Sequence, residues 1–154
     1  MSYILNKTYI RQLVNFNFDS LPQTIMENIF RDGRAFSHFI EPWLANEFGI
    51  KWIKGCKGYD FIDETNGETK YIDEKTFTNN GCSYRPSNMK GVGRTFDGTA
   101  FKEKASNLIY CIVSNVNFPE IKVIFIKGDK LLELYPNGEI PTKDHDKFFN
   151  QFLL

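Results

Sequence analysis

The sequence predicts one domain of the α/β class, built as α+β: a central mixed, largely antiparallel sheet flanked by helices. Three observations carry this. The chain has 154 residues, within the roughly 100–200 of a single domain. Apolar residues recur at helical spacing through the first fifty positions. After Gly49 the pattern shortens to strand-like runs separated by Gly, Pro and Asn, and a helical pattern returns at the end.

Residues 1–49 are expected to be helical. Leu13, Phe16 and Phe18 close a first amphipathic segment. Ser20 is a candidate N-cap with Pro22 early in the next helix, where Ile25, Ile29 and Phe30 share a face. Phe36, Phe39, Ile40, Trp43, Leu44 and Phe48 give a third helix that Gly49 ends, with Pro42 denting it. Residues 50–135 are expected to form the sheet. Its strands are Ile50–Lys54, Tyr59–Asp63, Lys70–Phe77, Asn107–Asn115, Lys122–Ile126 and Lys130–Tyr135. A short helix is expected over Thr99–Lys104. The Asn66-Gly67 pair between two apolar runs is a hairpin signal. Residues 78–98, with Gly81, Pro86, Gly91, Gly93 and Gly98, read as a long loop of the kind that carries function. Gly128-Asp129 and Pro136-Asn137-Gly138 are turns, and Thr142–Leu154 is a closing helix.

Composition narrows the function classes. Lys+Arg and Asp+Glu are both 19, so the formal net charge is zero, which disfavours binding nucleic acid by bulk positive charge. Cys56, Cys82 and Cys111 form no C-x-x-C pair, and there are only two His. A disulfide scaffold and a structural zinc site are therefore disfavoured, and reduced thiols are expected. Met1–Asn17 lacks the apolar core and small-residue cleavage site of a leader. No stretch approaches the roughly 20 apolar residues that span a bilayer. A cytoplasmic protein is expected.

The informative region is Gly58-Tyr59-Asp60-Phe61-Ile62-Asp63 followed by Tyr71-Ile72-Asp73-Glu74-Lys75-Thr76-Phe77. With Asn66-Gly67 at the turn, Asp63 faces Lys70, Phe61 faces Ile72 and Asp60 faces Asp73. Directly opposed Cβ atoms lie about 4.5–5.5 Å apart, so the two carboxylates repel. Lys75 is two residues beyond Asp73 and shares its face. A divalent cation explains why such a pair is kept. Mg²⁺ takes hard oxygen ligands and is usually held by one or two carboxylates plus substrate phosphate. It lowers the pKa of a bound water and offsets charge on a phosphorane, and a lysine can orient or deprotonate that water or stabilise the charge. Asp63 competes with Asp60 for the first-ligand role, but it falls on the opposite face, as does Glu74.

The pattern Asp60-x(12)-Asp73-x-Lys75 resembles the PD-(D/E)XK nuclease motif, an acid on one strand and acid-x-Lys on the next. It resembles in particular the small PvuII-like type II restriction endonucleases. Gly58-Tyr59-Asp60, Asn66-Gly67 and Asp73-Glu74-Lys75-Thr76 match their strand, turn and strand, over roughly residues 50–115. Tyr59 stands where the family's namesake Pro would be. The resemblance implies a restriction-endonuclease-like fold with Asp60 and Asp73 holding Mg²⁺ (Mn²⁺ substituting) and Lys75 serving the attacking water. Related nucleases often add an acid from a preceding helix. Glu41 is the candidate here and Glu47 the reserve.

A substrate-recognising segment follows the second strand directly. Residues 79–104 hold Arg85, Lys90, Arg94, Lys102 and Lys104 against Asp97 and Glu103. Arg and Asn read base edges, while Lys and Ser hold phosphates. Asn79, Asn80, Ser83, Arg85, Asn88, Lys90 and Arg94 are the candidate DNA-binding residues. His38 reads as a core-edge residue and His145 as solvated, neither with a nucleophile partner. The expected function is a Mg²⁺-dependent type II restriction endonuclease, acting on double-stranded DNA as a homodimer through residues 1–49. The alternatives are a structure-specific nuclease resembling junction resolvases, and a non-catalytic DNA-binding or interaction module in which Asp60, Asp73 and Lys75 are only a charged hairpin. Net neutrality conceals a separation of acids in the hairpin from bases in the loop after it. DNA binding should therefore depend on divalent cation.

Overall fold

The apolar run Leu108-Ile109-Tyr110-Cys111-Ile112-Val113 has no polar face, so it must be covered on both sides. In the computed structural model, which describes residues 1–13, 18–55 and 58–153, it forms the centre of the sheet. The long strands are β1 (Thr8–Gln12), β4 (Lys70–Phe77), β6 (Ile109–Ser114) and β7 (Glu120–Lys127). Shorter ones are β2 (Lys51–Trp52), β3 (Phe61–Asp63), β5 (Cys82–Ser83) and β8 (Glu139–Ile140). Six of them make one sheet in the order β1-β7-β6-β4-β3-β2, and β5 pairs with β8 apart from it. Among the strands of the large sheet in the described residues, β4 and β6 pair parallel and the other pairs are antiparallel. The fold is thus α+β with a mixed sheet, as expected.

Successive residues of β6 enter opposite cores. Cys111 and Val113 pack with Phe61, Ile72, Phe125 and the apolar stripe Phe36, Ile40, Leu44 and Phe48. That stripe lies on α2 (Gly33–Phe48). Asp32 caps α2 by accepting from the Arg34 and Ala35 amides, and Gly49 ends it at φ 67°. Pro42 lies inside this helix without dividing it. Tyr110 and Ile112 face the other core, with Phe101, Ala105, Leu131, Phe148 and Phe149. These belong to α3 (Gly98–Ser106), α4 (Gly128–Leu134) and α5 (His145–Asn150). The remaining helix, α1 (Gln23–Phe30), precedes α2. None of the helices among the described residues is long and apolar enough to cross a membrane.

Three segments differ from expectation. Residues 8–12, expected within a helical third, form edge strand β1, with Thr8 opposite Ile124 and Gln12 opposite Glu120. The β-branched and aromatic run Thr8-Tyr9-Ile10 suits a strand, and β7 offers it an unpaired edge. Phe16 and Cys56 lie outside the described residues. Lys130–Tyr135, expected as a strand, is mostly α4. Leu131, Leu134 and Tyr135 follow a helical i, i+3, i+4 spacing. Gly128 opens that helix because a Cβ there would lie 1.7 Å from the Ala105 carbonyl oxygen. The closing helix is shorter than Thr142–Leu154: a 3₁₀ turn at Thr142–Asp144 leads into α5.

Candidate active site

The β3–β4 hairpin has the expected register: Phe61 opposes Ile72 and Asp63 opposes Lys70. Its connection is longer than two residues. A 3₁₀ turn spans Thr65–Gly67, with Asn66 at φ 63° and Gly67 at φ 73°, the left-handed pair that Asn-Gly adopts readily. Asp60 lies just before β3 and continues its pairing. The Asp60 amide donates to the Ile72 carbonyl, and its own carbonyl accepts from the Ile53 amide, both at 2.8 Å.

This anchoring sets the carboxylate. Asp60 Oδ2 accepts from the Glu74 amide at 2.8 Å. Burial and the neighbouring Asp73 carboxylate push the Asp60 pKa up to about 7, against the pull of that amide. Lys75 Nζ stands 3.1 Å from Asp73 Oδ2. Burial would lower the Lys75 pKa, but the adjoining Asp73 charge outweighs it and holds the ammonium above its ordinary value. Lys75 is therefore a cation at neutral pH, suited to orienting a water or stabilising negative charge and not to taking a proton.

Asp60, Asp73 and Lys75 share a cavity of about 430 Å³ with Glu41, Glu74, Ser37 and Thr76. Glu41 reaches it from α2 and accepts from Trp52 Nε1 at 3.1 Å. Burial raises its pKa, opposed by the Trp52 bond, and Asp73 adds to the rise. Glu47, the reserve, is absent from this cavity and pairs with Arg11 at 3.2 Å. Asp63 is also elsewhere. It accepts from Tyr3 Oη (2.7 Å), Thr65 N (3.0 Å) and Thr65 Oγ1 (2.7 Å). Burial would raise its pKa, but those bonds outweigh it and hold the carboxyl below the usual range. Asp63 therefore closes the turn, and the placement favours Asp60 as the acid of the site.

Glu74 alternates to the α2 side of β4, as the register requires, yet its side chain still meets the cavity. Burial pushes its pKa up to about 8. Thr76 Oγ1 donates to Glu74 Oε1 at 2.8 Å, which opposes that rise. Thr76 Oγ1 also lies 3.1 Å from Ser37 Oγ, whose own proton goes to the Gly33 carbonyl at 2.8 Å.

Of the candidate DNA-binding residues, only Ser83 and Lys90 line this cavity. Arg85 is spent on the fold. Its Nε donates to the Asn137 carbonyl at 2.8 Å and lies 3.5 Å from Glu139, and its guanidinium covers the Phe96 ring at 3.8 Å. Arg94 bonds the Ser87 carbonyl. Asn79 lines a different cavity, beside His145. Asn80 and Asn88 are exposed. The expected long loop is also more ordered than its composition suggests, with β5 pairing β8 and a 3₁₀ turn at Ser87–Met89.

Sequence reasoning missed three features here. Ser37 carries no motif signal, and Thr76 enters only as part of the strand motif and not as its partner. Lys104, only counted among the basic residues, stands over Gly58: a Cβ on that glycine would lie 3.3 Å from Lys104 Nζ. His145, expected to be solvated, is buried. Its Nε2 is 2.6 Å from Ser114 Oγ and its Nδ1 is 2.8 Å from Asp146 Oδ1. This resembles a nucleophile relay in outline, but Ser114 is 2% exposed, so its hydroxyl is closed to substrate. Cys82 and Cys111 are buried free thiols whose pKa values burial pushes up, which makes them poor nucleophiles.

No protein-family model, curated protein or solved structure matches the chain. Among the described residues, no three His, Cys, Asp or Glu side chains are gathered as a preformed metal cluster. The donor set nevertheless fits Mg²⁺, which keeps several waters and needs only one or two carboxylates besides substrate. Asp60 and Asp73 are hard oxygen donors set side by side, with Glu41 lining the same cavity.

Proposed function

We propose that this chain is a Mg²⁺-dependent endonuclease of the PD-(D/E)XK type, a type II restriction enzyme that hydrolyses double-stranded DNA at a specific site. One observation carries the reading: Asp60, Asp73 and Lys75 come from adjoining strands into a single open cavity. Two half-buried carboxylates side by side, with Asp73 raising the proton affinity of Asp60, are a poor structural choice without a cation between them.

Asp60 and Asp73 would hold the Mg²⁺, with Glu41 as a further oxygen donor and Mn²⁺ as a substitute. When bound, the metal supplies Lewis acidity and positive charge at the phosphate. The chain's own groups do the rest. Lys75, kept protonated by Asp73, orients the attacking water and stabilises charge on the phosphate oxygens. The Glu74 amide fixes the Asp60 carboxylate. Glu74, whose proton affinity burial raises, accepts from Thr76 and holds the strand beside the site.

The reading includes a homodimer, because cutting both strands takes two sites and a two-fold dimer suits a palindrome. Exposed Phe18, Ile25 and Ile29 at and before α1 leave apolar surface in the region expected to mediate it. A cytoplasmic location goes with this reading.

Incubation of plasmid with the protein and Mg²⁺ tests it. Discrete fragments that vanish with Lys75→Ala and Asp60→Ala, but persist with Asp63→Ala in any fraction that remains folded, are the expected result. No cleavage of any DNA together with no Mg²⁺ binding by calorimetry would overturn it.

A further inference from the structure

Lys90 lines the same cavity as Asp60 and Asp73, and no ion pair is formed by its ammonium among the described residues. The two acids whose charges reach it are already engaged. Asp73 is paired with Lys75, and Glu139 stands 3.5 Å from Arg85. Burial pushes the Lys90 pKa down, and the Lys75 charge adds to that. A partly desolvated cation beside a second cation is unfavourable unless an anion joins them.

A second observation lies on the same wall. Ser83 Oγ is buried without a hydrogen-bond partner. Buried hydroxyls are nearly always bonded, so an orphan one lining a cavity points to a missing ligand oxygen or water. Ser87 lines this cavity too, and also an adjoining smaller one that it shares with Lys104. The segment is held in place: Lys90 N donates to the Ser87 carbonyl at 3.3 Å, Met89 N to that of Pro86 at 2.9 Å, and Arg94 also bonds Ser87.

We propose that Lys90, with the hydroxyls of Ser83 and Ser87, forms a phosphate-holding subsite beside the carboxylates, taking a nucleic-acid phosphate next to the one that is cleaved. An ammonium acting as a point charge and two hydroxyl donors can together meet several oxygens of a tetrahedral phosphate. The identity of the polymer rests on the nuclease reading; the affinity for phosphate does not. The neighbouring carboxylates repel the anion, so it binds more tightly when Mg²⁺ is present.

The test titrates inorganic phosphate into wild type, Lys90→Met, Lys90→Arg and Ser83→Ala, with Mg²⁺ and with EDTA, following backbone amide resonances of residues 82–91. Circular dichroism and thermal melts report folding. Expected are shifts at these amides in wild type, affinity weakened about tenfold or more in Lys90→Met, a smaller loss in Ser83→Ala, and partial retention in Lys90→Arg. Folded Lys90→Met and Ser83→Ala that bind phosphate as wild type does, or no shift at saturating phosphate, would overturn the subsite. On DNA, Lys90→Met should raise KM more than it lowers kcat. Phosphate binding that depends on Lys90 in a protein that cleaves nothing would leave the subsite and remove the nuclease. DNA cleavage with unchanged KM in Lys90→Met would do the reverse.

Discussion

Lys75 Nζ and Asp73 Oδ2 are 3.1 Å apart, and both side chains are only about 15% exposed. The pair lies beside Asp60, so Lys75 offsets one of two adjacent carboxylates. Lys75→Met should therefore do more than remove a reactive group. Breaking a buried ion pair from one side typically costs about 3–5 kcal/mol, because the other charge is left uncompensated. The expected result is a clear fall in metal-free Tm, partly recovered by Mg²⁺ if the cation takes over the neutralising role. A Tm within a degree of wild type without metal would show that Lys75 does not hold the carboxylates together.

The same crowding predicts how stability varies with pH. Asp60 is raised from 3.8 to about 7 and Glu74 from 4.5 to about 8. Over that window the folded chain holds protons that the unfolded chain has released. Stability from these groups is therefore full below about pH 4 and is lost as pH rises toward 8. Each such proton contributes a slope of about 1.4 kcal/mol per pH unit. Denaturant melts in EDTA should show wild type losing stability between pH 5 and pH 8, and Glu74→Gln losing less. Equal slopes in the two proteins would mean that Glu74 is already charged in the fold.

Much of the hairpin could be read beforehand, because a strand's side-chain period of two leaves few choices. Once Asn66-Gly67 marks the turn, Phe61 must oppose Ile72 and Asp73 must share a face with Lys75. That Asp60 meets the cavity with Asp73 while Asp63 does not could also be read, since a three-residue offset changes the face. Elsewhere the deciding interactions are distant in sequence. Residues 8–12 are a strand because β7, far along the chain, accepts them, with Thr8 against Ile124 and Gln12 against Glu120. Leu131, Leu134 and Tyr135 had helical spacing, but a short apolar run after a Gly-Asp pair also fits a strand. Arg85 looked like a base-reading side chain, and only the tertiary fold brings Phe96 and the Asn137 carbonyl to it.

His145 shows the same effect of distance, and its burial makes a separate prediction. Ser114, its partner, is 31 residues away. Phe77 and Phe149 pack their rings against the imidazole with centroids 4.9 and 5.1 Å from it. His145→Ala would leave Ser114 Oγ with one weak 3.3 Å bond from the Val116 amide. It would also open a gap against both rings. A buried group left short of a partner costs about 1–3 kcal/mol, and the cavity adds to this. For a domain of this size, each kcal/mol lowers Tm by about 2–4 °C. The expected outcome is a markedly lower melting temperature, with site chemistry retained below it. An unchanged Tm would mean that the Ser114–His145 bond does not hold α5 to the sheet.

Glu41 and Glu47 make a controlled comparison, since both lie on α2 and differ in where the helix sends them. Glu41 faces the cavity with Asp60 and Asp73; Glu47 is committed to Arg11 on the N-terminal strand. If Glu41 contributes an oxygen to a bound cation, Glu41→Gln should weaken Mg²⁺ binding by about tenfold, the scale of losing one charged ligand interaction. Glu41→Gln keeps an acceptor for Trp52 Nε1, so Tm should change little. Glu47→Gln removes only a partly exposed ion pair, worth at most about 1 kcal/mol, and should leave Mg²⁺ affinity untouched. Calorimetric titration of both variants decides the point. Equal Mg²⁺ affinity in Glu41→Gln and wild type would restrict the cation to Asp60 and Asp73. A loss in Glu47→Gln alone would place the metal outside the cavity altogether.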